Sequence, residues 1–260
     1  MKFITMANRE YIPAANALFK SIEANGGLTE LEFFVLSIDD LDGHETDRFD
    51  HTDTEVEQIH ASDLGEFEFD TTLLGRANPL NLHKFLIYKI PYDGPVCYLD
   101  ADIVCVNEIS ALERFEEFTA CINIGKENPQ SVCHRPMFNS GFFVFEPDTD
   151  TFDLIQEYAR TFDKEMDYAD QLLLNEWIYS EYDGCVTILG FEWNVFISVK
   201  YNRPKLWEAV TTEGIKFLHF TTIKPWEPIE ARNRILETVL EARREQKFGP
   251  ELELWREHAP

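Results

Sequence analysis

Two carboxylates stand two positions apart, at Asp100 and Asp102, directly after the apolar run Val96–Leu99. In an extended segment, residues two apart project to the same side of the chain. Two such oxygen ligands can hold Mn²⁺ or Mg²⁺ and leave coordination positions free for a diphosphate. In a chain with 48 Asp and Glu residues, an Asp-x-Asp pattern also arises by chance as a solvated pair. The apolar run that resumes at Ile103–Val106 favours the metal site, because charges beside a buried segment usually need a cation.

Other positions carry side chains that suit such a site, and each also has a structural explanation. His219 offers an imidazole, which Mn²⁺ accepts beside carboxylates, although a histidine flanked by Phe and Leu is equally typical of a core. Lys224 precedes a Pro-Trp pair, where an ammonium can neutralise a departing diphosphate; a surface lysine is the alternative. Asp167 and Asp170 lie three apart, so a helix start brings them together, and helix capping explains them equally well.

The elements around these residues alternate in the β-α-β order of a mostly parallel sheet covered by helices. Apolar segments predict strands at residues 2–6, 31–36, 55–59, 96–99 and 142–145. Helical periodicity predicts helices over residues 13–25, 82–90, 152–162, 173–178 and 229–245. Ligands of open α/β sheets bind at the carboxyl ends of strands, which is where the Asp-x-Asp pair emerges. We therefore predict one α/β domain over residues 1–248 and a peripheral tail over residues 249–260.

The charge balance excludes several classes of partner. The formal net charge is -25, and such a field repels nucleic acid and anionic membranes. No apolar run reaches the roughly 18 residues that span a bilayer, and the first residues do not resemble a signal peptide, so we expect a soluble, cytoplasmic protein. The five cysteines form no Cys-x-x-Cys pair, which favours buried free thiols over a zinc site or disulfides.

Five segments, taken in order, resemble those of the family 8 retaining glycosyltransferases, which have the GT-A fold. They are FITMANREYIPAANALFKSI, VCYLDADIVCVNEISAL, FNSG followed by FFVFEP, MDYADQLLLN and LHFTTIKPW. The resemblance implies a single Rossmann-like α/β domain with a mostly parallel, mixed central sheet flanked by helices. It also implies a UDP-sugar donor, Mn²⁺ or Mg²⁺ as cofactor, and transfer of a hexose with retention of the α configuration. The acceptor, whether a glycan, a protein or a small molecule, is not indicated.

The same resemblance assigns roles to individual positions. It implies the metal ligands Asp100, Asp102 and His219. It places catalytic residues beside the anomeric carbon and the acceptor, namely Asp170, Gln171 and Asp167. Contacts to the nucleotide, the diphosphate and the sugar are implied for Thr5, Ala7, Asn8, Tyr11, Lys84, Asp100, Ala101, Asn139, Ser140, Asn194 and Lys224. One departure from the family pattern is the segment between His219 and Lys224, which is a residue shorter and lacks a glycine.

Two other functions fit the same fold class. A catalytically silent protein that binds sugars or nucleotide sugars would be expected to lose the metal-binding acids, which this chain keeps. A sugar nucleotidyltransferase would be expected to carry a glycine-rich phosphate loop after its first strand, and ANREYIPAA contains no glycine. A homodimer is a further hypothesis that the sequence does not decide.

Overall fold

The computed structural model describes residues 1–39, 49, 52–74, 78–115, 117–124, 131–132, 134–164, 169–221, 224–227 and 234–259. Its strands are β1 Lys2–Ala7, β2 Glu32–Ser37, β3 Val56–His60, β4 Val96–Leu99, β5 Ile103–Cys105, β6 Phe118–Ile122, β7 Ser131–Val132, β8 Arg135–Pro136, β9 Phe138–Phe145, β10 Val186–Leu189, β11 Val195–Phe196 and β12 Phe217–His219. Its α-helices are α1 Ile12–Asn25, α2 Ala61–Leu64, α3 Thr149–Thr161, α4 Ala169–Ser180, α5 Val199–Asn202, α6 Pro204–Glu213 and α7 Arg234–Arg256. Its 3₁₀ helices are Arg9–Tyr11, Thr71–Leu73, Pro79–Lys89, Ser110–Arg114 and Phe191–Trp193.

Among the described residues, the central sheet has seven strands in the order β10-β6-β9-β4-β1-β2-β3. Neighbouring strands are parallel except for β9, which runs antiparallel to both β4 and β6. The sheet is therefore mixed and mostly parallel, as predicted. Because β1 and β4 share a direction, their carboxyl ends meet at one edge, and the amino end of the antiparallel strand β9 lies at that same edge. This edge holds the predicted site residues.

Residues along the strands alternate between two apolar layers. Phe3 and Val144 face a layer that contains helix α1, whereas Ile4 and Phe143 face a layer formed by α3, α4 and the 3₁₀ helix Pro79–Lys89. Burial of both faces explains why the strands read as continuous apolar runs instead of alternating with polar residues. Packing on both faces also holds the ends of the strands in place, and with them the side chains that follow each strand.

A smaller sheet, in the order β11-β12-β5, brings distant parts of the chain to the Asp-x-Asp segment. Strand β5 begins immediately after Asp102 and pairs antiparallel with β12, where His219 lies opposite Ile103. The backbone N–H of Phe220 donates to the carbonyl oxygen of Asp102 at 2.8 Å. This pairing places His219 beside the two carboxylates, although they are more than a hundred residues apart in sequence.

The C-terminal helix α7 continues through Pro250 and ends at Arg256. Leu252 and Trp255 are buried in an apolar cluster that includes residues of the smaller sheet. The prediction of a peripheral tail over residues 249–260 is therefore wrong. Burial of this apolar face outweighs the loss of the one backbone hydrogen bond that a proline cannot donate.

Leu252→Ala tests whether this helix contributes to the fold. The side chain of Leu252 is only 1% exposed, so we expect the free energy of unfolding to fall by about 2–5 kcal/mol, measured by urea denaturation. Leu154→Ala is the matched control, because Leu154 is 62% exposed and should change stability by less than about 0.5 kcal/mol. Equal effects of the two substitutions would show that the C-terminal helix does not pack on the smaller sheet.

Two further sequence predictions can be compared with the described residues. Cys97, Cys105 and Cys121 are buried free thiols, as predicted, whereas Cys185 is exposed and Cys133 lies outside the described residues. Burial raises the pKa of the Cys105 thiol to about 12, so this thiol stays protonated and unreactive. Within the part of the chain that the structure describes, no helix has both the length and the apolar character needed to cross a bilayer.

Candidate active site

A cavity of about 540 Å³ opens where the carboxyl ends of β1 and β4 meet the amino end of β9. It brings together most of the predicted site residues: Ala7, Asn8, Tyr11, Lys84, Asp100, Ala101, Asp102, Asn139, Ser140, Asp170, Gln171, His219 and Lys224. The same cavity is lined by residues that the sequence reading did not identify: Met6, Ile38, Asn78, Leu80, Asn81, Tyr98 and Thr221. A pocket of this size is typical of a small-molecule site.

Two predicted positions that the structure describes, Thr5 and Asn194, do not line the cavity. Thr5 is fully buried within β1, and the cavity lining begins at the next residue, Met6. Asn194 is 1% exposed and lies behind the cavity wall. Asp167 lies outside the described residues. The contacts predicted for these three residues with the donor, the sugar or the acceptor stay predictions.

Asp100, Asp102 and His219 form a cluster whose ligand atoms all lie within 4.8 Å of one another. The imidazole Nε2 of His219 lies 3.0 Å from Asp102 Oδ1 and 3.8 Å from Asp100 Oδ2. The segment from Asp100 to Asp102 is a turn between two strands and is not extended, so the predicted reason for the convergence of the carboxylates is wrong. The turn is held instead by the backbone N–H of Asp100, which donates to the Gly141 carbonyl at 2.8 Å.

Gly141 leaves the space in which these ligand atoms converge. A Cβ atom at this position would lie 2.5 Å from Asp100 Oδ2 and 2.8 Å from His219 Cε1, closer than real contacts allow. Gly141→Ala should therefore separate the two ligands and weaken Mn²⁺ affinity by about 10- to 100-fold, as disturbance of metal-ligand geometry commonly does. Mn²⁺ titration followed by electron paramagnetic resonance measures this loss.

Gly94→Ala is the control for that substitution, since a Cβ at Gly94 meets nothing within 4 Å. It carries a backbone strain of its own, because Gly94 has a φ of 79°, so it should lower stability slightly and leave Mn²⁺ affinity unchanged. An unchanged Mn²⁺ affinity in Gly141→Ala would mean that Asp100 and His219 do not bind the same metal ion.

The ammonium of Lys224 contacts the second carboxylate oxygen of Asp102. Burial alone would raise the pKa of Asp102, but His219 and Lys224 outweigh it and hold that pKa well below its ordinary value. Burial likewise lowers the pKa of Lys224, and the Asp102 carboxylate more than reverses this, so the net shift is upward. Lys224 also lies 5.5 Å from the centre of the Tyr11 ring. The lysine is thus a charged part of the cavity wall and not a solvated surface residue.

A second cation, Lys84, lies beside Asp100. The ammonium of Lys84 is buried and lies 3.1 Å from Asp100 Oδ1 and 2.7 Å from Asp170 Oδ2. It also donates to the carbonyl oxygen of Ser140 at 3.0 Å. Burial lowers the pKa of Lys84, but Asp100 and Asp170 raise it by more, so the group stays charged. The side chain of Lys84 therefore fixes the two carboxylates relative to each other.

The amide of Gln171 is held by the chain around Asn139. Its Oε1 accepts from Asn139 Nδ2 at 2.7 Å and from the backbone N–H of Ser140 at 3.3 Å. Its Nε2 contacts the sulfur of Met137 at 3.3 Å. The side chain is 7% exposed and lines the cavity, so its orientation is set by the protein before any ligand binds.

Asn8 and Tyr98 show how a structural role and a site position can coincide. Asn8 Oδ1 accepts from the backbone N–H of Tyr11 at 3.1 Å and caps the short 3₁₀ helix after β1. The hydroxyl of Tyr98 donates to Asp100 Oδ1 at 2.9 Å, and its ring lies 4.8 Å from the ammonium of Lys84. Tyr98 sits inside an apolar strand segment, so no pattern in the sequence distinguishes it from core.

Comparison with known proteins agrees with this geometry. The family model described as "Glycosyl transferase family 8" matches residues 3–230 of the chain. A UDP-glucuronate:xylan alpha-glucuronosyltransferase 1 of Arabidopsis thaliana is 24% identical over 220 residues, which cover 83% of this chain and 30% of that protein. A glycogenin of Cryptococcus neoformans var. grubii is 29% identical over 196 residues, which cover 68% of this chain and 20% of that protein. The chain thus spans less than a third of the length of these two relatives.

Solved structures show the same architecture. The crystal structure of the galactosyltransferase LgtC with donor and acceptor sugar analogs superposes with a TM-score of 0.66 at 18% identity, over 94% of this chain and 96% of that one. At this identity the superposition shows the fold alone, and the fold is the GT-A fold. The family model covers well over half of the sequence, so the chain is a member of glycosyl transferase family 8.

Proposed function

We propose that the chain transfers a hexose from a UDP-sugar to an acceptor, with a divalent metal ion and with retention of the anomeric configuration. The observation that carries the proposal is one cavity that brings together a candidate metal cluster, Lys224 and the amides of Asn139 and Gln171. The name of the xylan glucuronosyltransferase specifies a UDP-linked donor, and LgtC was crystallised with donor and acceptor sugar analogs. Both support a nucleotide-sugar donor for this chain.

The residues of the cluster suit Mn²⁺ or Mg²⁺. Asp100 and Asp102 supply hard oxygen ligands, and the imidazole of His219 is more readily accepted by Mn²⁺ than by Mg²⁺. The absence of a side chain at Gly141 leaves room for their ligand atoms to converge. When bound, the metal ion would stabilise the negative charge that develops on the diphosphate as the bond between the diphosphate and the sugar breaks.

Lys224 supplies a second positive charge near the metal cluster. Its ammonium lies beside Asp102 and over the Tyr11 ring, so it can reach a diphosphate bound at the metal cluster. A fixed cation aimed at a group on which charge develops stabilises the transition state more than the ground state. We assign Lys224 this role toward the departing diphosphate.

Polar residues beside the metal cluster orient the sugar. Asn139, Ser140 and Gln171 present polar groups that are already hydrogen-bonded to one another and hence fixed. Asp170 forms an ion pair with Lys84. This pairing favours a role for Asp170 in binding sugar hydroxyls and positioning Lys84 over a role as a nucleophile. Retention then requires the acceptor oxygen to attack on the face from which the diphosphate leaves. Orientation of the acceptor by Asp167 stays a prediction.

A donor screen tests the proposal. The protein is incubated with UDP-sugars and GDP-sugars, with and without Mn²⁺, and the released nucleotide is measured. We expect release of UDP from at least one UDP-sugar only when Mn²⁺ is present. Release of nucleotide from GDP-sugars alone would overturn the assignment of UDP, and formation of a nucleotide sugar from a free sugar phosphate would indicate a nucleotidyltransferase.

A further inference from the structure

Asn194 bonds to two site residues although it does not line the cavity. Its Oδ1 lies 3.1 Å from Nδ1 of His219, and its Nδ2 donates to Oδ1 of Asn139 at 2.7 Å. Asn194 follows the 3₁₀ helix Phe191–Trp193 and immediately precedes strand β11, which pairs in parallel with β12. The amide therefore contacts both His219 of the metal cluster and Asn139, one of the residues proposed to hold the sugar.

The orientation of this amide follows from a backbone group. The N–H of Gly141 can only donate, and it donates to Asn139 Oδ1 at 2.9 Å, so that atom of Asn139 must be the carbonyl oxygen. Asn194 must then present its NH₂ group to the same oxygen and its own oxygen to His219. An oxygen can only accept, so His219 Nδ1 carries a proton and donates it to Asn194 Oδ1.

With Nδ1 held by Asn194, the other ring nitrogen faces the two carboxylates. His219 Nε2 lies 3.0 Å from Asp102 Oδ1 inside the metal cluster. The orientation of a metal-binding imidazole is fixed by the hydrogen bond that its other ring nitrogen makes. Asn194 thus holds the ring with Nε2 directed at the cluster.

Asn194 is also connected to Gln171 through hydrogen bonds with Asn139. Asn139 Oδ1 is shared by the N–H groups of Gly141 and Asn194, which leaves Asn139 Nδ2 to donate to Gln171 Oε1 at 2.7 Å. The hydrogen bonds form a connected series from His219 through Asn194 and Asn139 to Gln171. The backbone N–H groups of Gly141 and Ser140 donate to Asn139 Oδ1 and Gln171 Oε1, so each of these side-chain amides has only one possible orientation.

We propose that Asn194 is a positioning residue that sets the orientation of the His219 ring and, through Asn139, that of Gln171. The metal-binding part of this inference rests on the proposed function, whereas the hydrogen bond to His219 Nδ1 can be tested in the metal-free protein. The side chain touches neither donor nor metal in this role. It links His219 to the Asn139–Gln171 pair, so its loss should disturb both.

The first test is the hydrogen bond between Asn194 and the ring itself. In metal-free protein, the ¹H–¹⁵N NMR signals of His219 are assigned by their loss in His219→Gln. We expect the wild type to show a protonated Nδ1 whose proton is protected from exchange with solvent, and Asn194→Leu to lose that protection. A wild-type ring without a proton on Nδ1, or equal protection in Asn194→Leu, would overturn the inference whether or not the protein is a metal-dependent transferase.

The second test separates the two functions of the amide. Asn194→Leu removes both hydrogen bonds and should weaken Mn²⁺ affinity by about 10- to 100-fold. Asn194→Asp keeps an acceptor for His219 but places a carboxylate oxygen against Asn139 Oδ1. Asn194→Asp should hold Mn²⁺ affinity within about threefold of the wild type. Its kcat for donor turnover should fall at least about tenfold, because Asn139 and Gln171 are no longer held in place.

Asn25→Leu is the matched control, because Asn25 also donates from a partly buried amide, to the carbonyl oxygen of Cys105 at 2.8 Å, away from the cavity. It should change neither Mn²⁺ affinity nor kcat, and circular dichroism melting curves check that all three variants fold. If Asn194→Leu folds and binds Mn²⁺ like the wild type, Asn194 does not position His219. If both Asn194 variants lose affinity and kcat in the same proportion, the link to Gln171 is refuted.

Discussion

Asp102→Asn is expected to abolish metal-dependent turnover of the donor while leaving the protein folded. The substitution removes one of two carboxylate charges from the cluster, and a neutral amide is a much weaker ligand for a hard divalent cation. Asp102 also holds His219 Nε2 at 3.0 Å and contacts Lys224, so three functional groups lose their common partner. We expect the rate of UDP release at limiting Mn²⁺ to fall on the order of 10³-fold or more.

The control for this substitution is Asp63→Asn, since Asp63 is an exposed acid on the short helix α2. It should leave the rate and its dependence on Mn²⁺ unchanged. Circular dichroism separates loss of function from loss of fold in the Asp102 variant. Wild-type turnover by Asp102→Asn at limiting Mn²⁺ would show that the Asp-x-Asp segment does not bind the metal.

Lys224→Ala is expected to lower the rate of donor cleavage by about 10²- to 10³-fold, the usual effect of losing one electrostatic partner of a transition state. Mn²⁺ affinity should stay equal or rise, because the ammonium that contacts Asp102 no longer competes with a cation for that carboxylate. Measurement of kcat and of Mn²⁺ binding on the same preparation distinguishes the two effects. Lys205→Ala, at an exposed position on helix α6, is the control.

A different experimental result would show that Lys224 has only a structural role. If Lys224→Ala lowered the melting temperature but left kcat and the Mn²⁺ dependence unchanged, its ion pair with Asp102 would serve only to hold the loop that carries it. The contacts of Lys224 with the Tyr11 ring and, at 5.8 Å, with the Trp226 ring would then be ordinary packing.

The position of the metal cluster could be predicted because it depends on local features. Asp100 and Asp102 follow an apolar strand, and the carboxyl end of a strand in an open α/β sheet is a site position whatever the rest of the chain does. The mostly parallel sheet was also predicted, since its strands are buried on both faces and read as continuous apolar runs. These inferences needed no knowledge of distant contacts.

The remaining parts of the site depend on contacts that no short segment contains. Tyr98 has the sequence context of a core residue, whereas in the fold its hydroxyl donates to Asp100 and its ring lies beside Lys84. Asn194 reads as a ligand contact, whereas the pairing of β11 with β12 puts it behind His219. The C-terminal helix was predicted to end at residue 245, because the apolar surface that its last turns pack against comes from strands far away in sequence.

The most direct test of the central claim is removal and return of the metal ion with the donor that the screen identifies. The protein is treated with EDTA, dialysed, and assayed for UDP release before and after addition of Mn²⁺, Mg²⁺ or Ca²⁺. We predict that EDTA abolishes release and that Mn²⁺ restores it more fully than Mg²⁺ or Ca²⁺, because the cluster combines two carboxylates with an imidazole. Undiminished release by the EDTA-treated protein would contradict a metal-dependent transfer at Asp100, Asp102 and His219.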